Sequence, residues 1–434
     1  MQRALAASFY RGGTSKGLFF NAQELAAFRG PVRDHIILAA MGSPDPDGRQ
    51  IDGMGGGISS LSKIAVVSRP GDIMPRSPEY EFPGVQWADD IEKAQRKEDG
   101  WDVVYRFAQV GVRDSVVDWG STCGNLVAAA AQYAVDERLV HEQALAALKS
   151  SAPSPWGTVP LPLRILAANN GKVVRAIVQL QLQERDYYVS NSGDAAIAGV
   201  PGMSAPIKID NPLDGDPLST GRERDKIQVD GKEIECTVID AGLPVIFIPY
   251  TALFSSPSSL VVPPADLDAS AQTMALIESI RRAASNVTPK LAAVFSSAAP
   301  KVCIVAPRMG YQTTGGHAVD ADDIDLVIRA VSVGNIHRTV PATTLSALAV
   351  GAAYPNSVIA EAISASPRRS RDSPGHADGN MVSVVVGQPA GTSAASAKLT
   401  TVSGEQRPTS INYLRTARRL FQGQVLVPHD VAQV

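Results

Sequence analysis

Cysteine is scarce in this chain: Cys123, Cys236 and Cys303 are the only three in 434 residues. They are too few and too scattered for a disulfide framework, and an odd count leaves at least one thiol, which suits a reducing compartment. No two cysteines stand at zinc-ligand spacing and the six histidines are dispersed, so no metal site is expected. Charge of one sign is lacking as well. Forty Lys and Arg against 43 Asp and Glu leave a formal charge of -3, which gives no general field to draw nucleic acid or an acidic membrane. An anionic ligand must then be held by a local cluster of cations and backbone N–H groups. There is no run of about 18 consecutive apolar residues to span a bilayer. The opening ten residues carry one arginine and too short an apolar run for a signal peptide, and read as a strand leading into a loop. A cytoplasmic location is expected.

What is present is ordinary globular composition, 44% hydrophobic and 19% charged, at a length for which two domains are the default. Short β-branched runs dominate: Ile64 to Ser68, Asp102 to Ala108, Val173 to Leu180, Cys236 to Asp240 and Met381 to Val386. Regular β-α-β alternation is absent, which predicts an α+β arrangement with antiparallel sheets. Two segments read as helices that are apolar all round, one after Cys123-Gly-Asn125 and one after Arg338-Thr-Val-Pro341. Each is expected to be buried inside a sheet envelope, giving two copies of a strand-wrapped helix. The Pro/Gly/Asp-rich stretch from Gly199 to Pro217 marks the main junction, and Pro389 to Ser396 reads as a second linker. The expected domains are residues 1–195 with 397–434, and 196–396. Arg415 to Phe421 reads as a basic helix followed by a short strand, with the first domain as one place for it to pack.

Three segments carry chemistry. In Arg11-Gly-Gly-Thr-Ser-Lys-Gly17, two glycines permit a tight turn, Thr14 and Ser15 offer hydroxyls, and Arg11 and Lys16 add charge suited to a carboxylate. In Gly53-Met-Gly-Gly-Gly-Ile-Ser-Ser-Leu-Ser-Lys63, Gly56 and Gly57 allow close backbone approach to a ligand, with Ser59 and Ser60 as donors. Lys63 stands at the mouth of an apolar strand, where a dry setting disfavours its charged form and makes a better base. A strand rather than a helix follows these glycines, so a dinucleotide site fits poorly. Cys123-Gly124-Asn125 opens a helix, whose unpaired N–H groups favour a carboxylate or a thiolate. Each segment also has a plainer reading: a basic surface turn, a flexible hairpin with a solvated lysine, an inert buried thiol. In the second half, Arg338, Thr344 and His376 are weaker candidates for binding the same ligand.

The ordered set Arg11 to Gly17, Gln50 to Gly56, Ser59 to Lys63, Cys123 to Asn125, Gly199 to Gly202, Asp240 to Pro244 and Arg415 to Arg419 resembles the PrpF-type isomerases, typified by 2-methylaconitate cis-trans isomerase. The resemblance implies a diaminopimelate-epimerase-like fold: two similar domains, each a curved antiparallel sheet wrapped around a central apolar helix, with the active site between them. It implies proton transfer without a cofactor, on a small unsaturated di- or tricarboxylic acid of the aconitate or methylaconitate type, with Lys63 and Cys123 as the acid/base pair. A 4-oxalomesaconate-type keto–enol tautomerase, an amino-acid racemase and a non-catalytic carboxylate-binding protein stay open as alternatives. Diaminopimelate epimerases carry a second cysteine where this chain reads Ala342-Thr343-Thr344, which disfavours two-thiol racemisation. A small polycarboxylate is the expected partner, with neither nucleic acid nor membrane; a homodimer is a further expectation.

Overall fold

The computed structural model describes residues 1–28, 30–70, 100–120, 122–141, 145–146, 148, 156–183, 186–213, 215–296, 299–332, 334–366, 380–402 and 404–430. The chain divides into two compact units, Met1–Ile209 with Arg415–Val434, and Asp210–Leu414. Both junctions fall later than the expected 195/196 and 396/397. The strands of the 381–414 region pair with one another and keep that segment in the second unit.

The first unit begins with β1 (Gln2–Gly12) and β2 (Ser15–Asn21), an antiparallel pair joined by the two-residue turn Gly13-Thr14. Helix α1 (Gly30–Met41) leads to β3 (Lys63–Ser68), which pairs parallel to β2 and antiparallel to β4 (Val103–Val110). Helix α2 (Gly124–Asp136) crosses to β5 (Trp156–Ala167), parallel to β4, and β5 forms a hairpin with β6 (Lys172–Gln183).

Side chains alternate across this sheet. Leu5, Phe9, Leu18, Phe20, Ile64 and Val66 turn to one face and make a core with Ile36, Ile37 and Met41 of α1. The other face wraps α2, which touches β1 to β6. Ala128, Ala129, Ala130 and Ala131 of α2 are fully buried. Alanine costs the helix nothing in propensity and lets strands approach its backbone, so the all-round apolar pattern is what the enclosure requires.

The second unit repeats the plan. Strands β7 (Asp225–Val229), β8 (Lys232–Asp240) and β9 (Pro244–Pro249) are antiparallel neighbours. Helix α3 (Ala271–Ser285) precedes β10 (Lys301–Pro307), parallel to β9 and antiparallel to β11 (Leu326–Ser332). Helix α4 (Ala342–Gly351) then crosses to β12 (Met381–Gln388), parallel to β11, and β13 (Gly391–Val402) and β14 (Glu405–Arg415) complete the sheet as antiparallel additions. The expected sheets are thus mostly antiparallel, with two parallel pairs in each unit where a helix makes the crossing.

Two readings need correction. The small-residue stretch from Pro389 to Ser396 is a hairpin turn and the start of β13, paired residue by residue with β12. Arg415 to Phe421 is not helical: β15 (Ala417–Pro428) runs antiparallel to the whole of β1, from Gly12 opposite Ala417 to Gln2 opposite Pro428, and so belongs to the first unit. A long unpaired strand edge and the alternating inward residues Val425 and Val427 outweigh the local helix preference of Ala-Arg-Arg-Leu. Among the described residues no helix is long and apolar enough to cross a membrane.

Candidate active site

The β1–β2 turn rests on the start of α2. A Cβ on Gly12 would lie 2.5 Å from the Asn125 carbonyl oxygen and 2.9 Å from the Ala129 Cβ, so only glycine permits this approach. The Asn125 side chain fastens the contact. Its Nδ2 donates to Thr14 Oγ1 at 3.2 Å and Ser15 Oγ at 3.3 Å, and its Oδ1 accepts from Arg415 Nε at 2.8 Å. Cys123 is the N-cap of α2, in extended conformation (φ -134°, ψ 101°), and no side chain caps the helix there. Its carbonyl accepts from the N–H groups of Leu126 and Val127 and from Tyr105 Oη at 3.3 Å. The positive end of the helix therefore meets a thiol, two hydroxyls and an amide.

Lys63 opens β3. Ile64 and Val66 turn to the α1 side, so Lys63 turns to the α2 side, where it is 8% exposed. Its Nζ donates to Gln109 Oε1 at 2.5 Å and lies 5.1 Å from the centre of the Phe107 ring. Burial holds its pKa below the ordinary lysine value, and the one opposing influence is the Cys123 thiol, which favours the charged amine. Lys63 and Cys123 both belong to the α2 side of the first unit, Lys63 at the start of β3 and Cys123 at the start of α2. Cys236 and Cys303, by contrast, are sealed in the second unit's core, where burial pushes the Cys236 thiol up to about 12 and the Cys303 thiol well above its usual range.

Other expected residues are placed differently. Strand alternation puts Arg11 and Lys16 on the opposite face from Ser15 and Gly17. Arg11 Nη1 donates to the Gly13 and Thr416 carbonyls, and Lys16 Nζ stands 5.8 Å from the ring of Phe9, a residue of the α1-side core. Both cations therefore turn away from the Lys63 side of the sheet. Gly56 and Gly57 make their close approaches within the chain: a Cβ would meet Leu61 at Gly56, and the Gly48 carbonyl at Gly57, whose φ is +73°. Both glycines are thus needed for the loop's own close packing. Ser59 and Ser60, half-buried, form the turn before Lys63.

Arg338 and Thr344 belong to the second unit. Arg338 is exposed; Thr344 is wholly buried in the first turn of α4, its hydroxyl without a hydrogen-bond partner among the described residues. His376 lies outside the described residues.

Sequence reasoning missed two glutamines. Gln109 holds the Lys63 amine. Gln50, 1% exposed and itself at φ 52°, accepts through Oε1 from Gly57 N at 2.9 Å and Ser62 Oγ at 2.5 Å, and donates to Ser43 Oγ. An amide near the end of a mostly β-branched and aromatic strand was the available signal for Gln109. Gln50 stood in a quoted motif with no role attached to it.

The family model described as PrpF protein matches residues 2–86 and 90–428. A 2-methyl-aconitate isomerase of Shewanella oneidensis is 31% identical, over 98% of this chain and 98% of its own length. A 4-oxalomesaconate tautomerase of Pseudomonas putida is 35% identical over 55% of this chain and 53% of its own. Among solved structures, a methylitaconate-delta-isomerase superposes with TM-score 0.65 at 27% identity, covering 99% of this chain and 97% of that one.

Proposed function

Since the chain belongs to the PrpF family, we infer that it is an isomerase that moves a proton, and with it a carbon–carbon double bond, within a small unsaturated di- or tricarboxylic acid of the aconitate or methylaconitate type. The observation that carries this reading is Lys63: a buried amine with lowered proton affinity, whose one titratable influence is the thiol at the start of α2.

In the proposed reaction the Lys63 Nζ lone pair takes a proton from a carbon allylic to the double bond. The C–H electron pair moves into conjugation with a carboxylate, giving an enolate-like polyanion. The Cys123 thiol then delivers its proton to the other end of the allylic system, or to the other face. Transfer from the ammonium to the thiolate restores both groups, so no cofactor is called on. The polyanion is stabilised by the positive end of α2 and by the donors of Thr14, Ser15 and Asn125, the electrostatic contribution that is usually largest.

The test is incubation in D₂O with cis-aconitate, 2-methylaconitate, methylitaconate and oxalomesaconate, following deuterium and double-bond position by NMR. At least one acid should exchange and isomerise. A positioned proton-transfer group is worth roughly 10²–10⁴-fold, so Lys63→Ala should lose about 3–5 kcal/mol of transition-state stabilisation. Undiminished turnover by that variant, or no exchange in any acid by the wild type, speaks against the reading.

A further inference from the structure

Resting on the reading of Lys63 as base, we propose that Gln109 is a positioning residue that aims the Lys63 amine, its own amide being locked so that only the oxygen can face Nζ. Gln109 lies directly opposite Lys63 in the antiparallel β3–β4 register. Its Nε2 donates to three carbonyls: Ser59 at 3.1 Å, Ser62 at 2.9 Å and Val110 at 3.3 Å. Carbonyl oxygens only accept, so a flipped amide would set oxygen against oxygen and its NH₂ against the amine. The locked orientation leaves Oε1 as a fixed acceptor, 2.5 Å from Nζ.

The lock is itself held. The single Ser62 hydroxyl proton is shared between Gln50 Oε1, 2.5 Å from Oγ, and the Ile58 carbonyl, 2.9 Å away, and Val110 N donates to the Ser62 carbonyl at 3.0 Å. The carbonyls that orient Gln109 thus sit on a segment that Gln50 and β4 fasten. With one N–H committed to Oε1 and the Phe107 ring alongside, a neutral amine directs its lone pair along a defined line rather than rotating freely.

The neutrality of the acceptor matters as much as its direction. A carboxylate at this position would stabilise the ammonium and remove the base. Among the described residues, Lys63 is met by the uncharged Gln109 amide and Phe107 ring from β4 and is influenced by the Cys123 thiol from α2, while β2 brings the backbone of Gly17 against the Lys63 carbonyl. Gln109 therefore aligns the amine without restoring its proton affinity.

The experiment measures kcat/KM against pH for deuterium exchange into 2-methylaconitate, or whichever acid of the panel above the wild type turns over. In Gln109→Glu the acidic limb should move up by about one pH unit or more, with activity falling at least ~10-fold at pH 7 and recovering at higher pH. In Gln109→Leu, which removes the acceptor and adds no charge, kcat should fall on the order of 10²-fold with KM little changed and the limb not raised. A Gln109→Glu profile superimposed on the wild type, a folded Gln109→Glu protein inactive at every pH, or a Gln109→Leu protein with undiminished kcat overturns the proposal; the leucine variant decides it if the carboxylate variant does not fold. Lys63→Ala separates the two claims. Loss of activity there with an unshifted Gln109→Glu profile sinks the role of Gln109 alone, whereas full activity in Lys63→Ala sinks the underlying reading.

Discussion

At the scale of single residues, a base made by burial is a liability to the fold. The unfolded chain holds the Lys63 proton with an ordinary pKa of 10.5, and the folded protein holds it more weakly. Between those two values the unfolded state binds more protons, so this residue's contribution to stability rises with pH through that window; its cost is fully present below it. Lys63→Met should therefore raise the urea midpoint at pH 7 while abolishing isomerisation, and the gain should shrink as the pH approaches 10.5. Urea titrations at pH 7 and pH 10 check this; an equal gain at both, or none, contradicts it. The placement of Lys63 and Cys123 was legible in the sequence because each stands at the start of an element, one opening a strand and the other capping a helix. Gln109 was not legible, since its role depends on which residue of β3 stands across from it, and register is a property of the paired strands.

At the scale of elements, the contact that assembles the site is the β1–β2 turn against α2. Gly12→Ala forces a Cβ to within 2.5 Å of the Asn125 carbonyl, so turn and helix must part. The expected cost is roughly 1–3 kcal/mol of stability, measured by urea unfolding, together with weakened turnover as Thr14 and Ser15 withdraw from Asn125. A variant as stable and active as the wild type would show the close packing to be dispensable. The two buried helices could be read from their alanine-rich, apolar-all-round pattern, and the strands from their β-branched runs. Two elements could not. From Pro389 to Ser396 small residues imitate a linker, yet the neighbouring strands supply the pairing that holds them extended. Arg415 to Phe421 has the local preference of a helix, and only the full-length edge of β1, more than 400 positions away in the chain, makes it a strand.

At the scale of the whole molecule, the two units carry one plan twice: pairs run antiparallel, antiparallel, parallel, antiparallel, parallel, antiparallel, and each central helix makes the second parallel crossing. The likeness extends to Lys63 and Lys301, which open corresponding strands, while the helix start that bears Cys123 in the first unit bears Pro341 in the second. The proposed acid/base pair therefore lies in one copy. Because β15 closes the first copy, deleting residues 417–434 should strip hydrogen-exchange protection from the β1 amides while the β8–β12 amides stay protected; unaltered protection in β1 would contradict this. The same arrangement sets an order of birth. On the ribosome the inner unit, Asp210–Leu414, is complete while the outer one still lacks its last strand, so the half that holds the candidate acid/base pair must wait, one edge open, until residues 417–428 have been made.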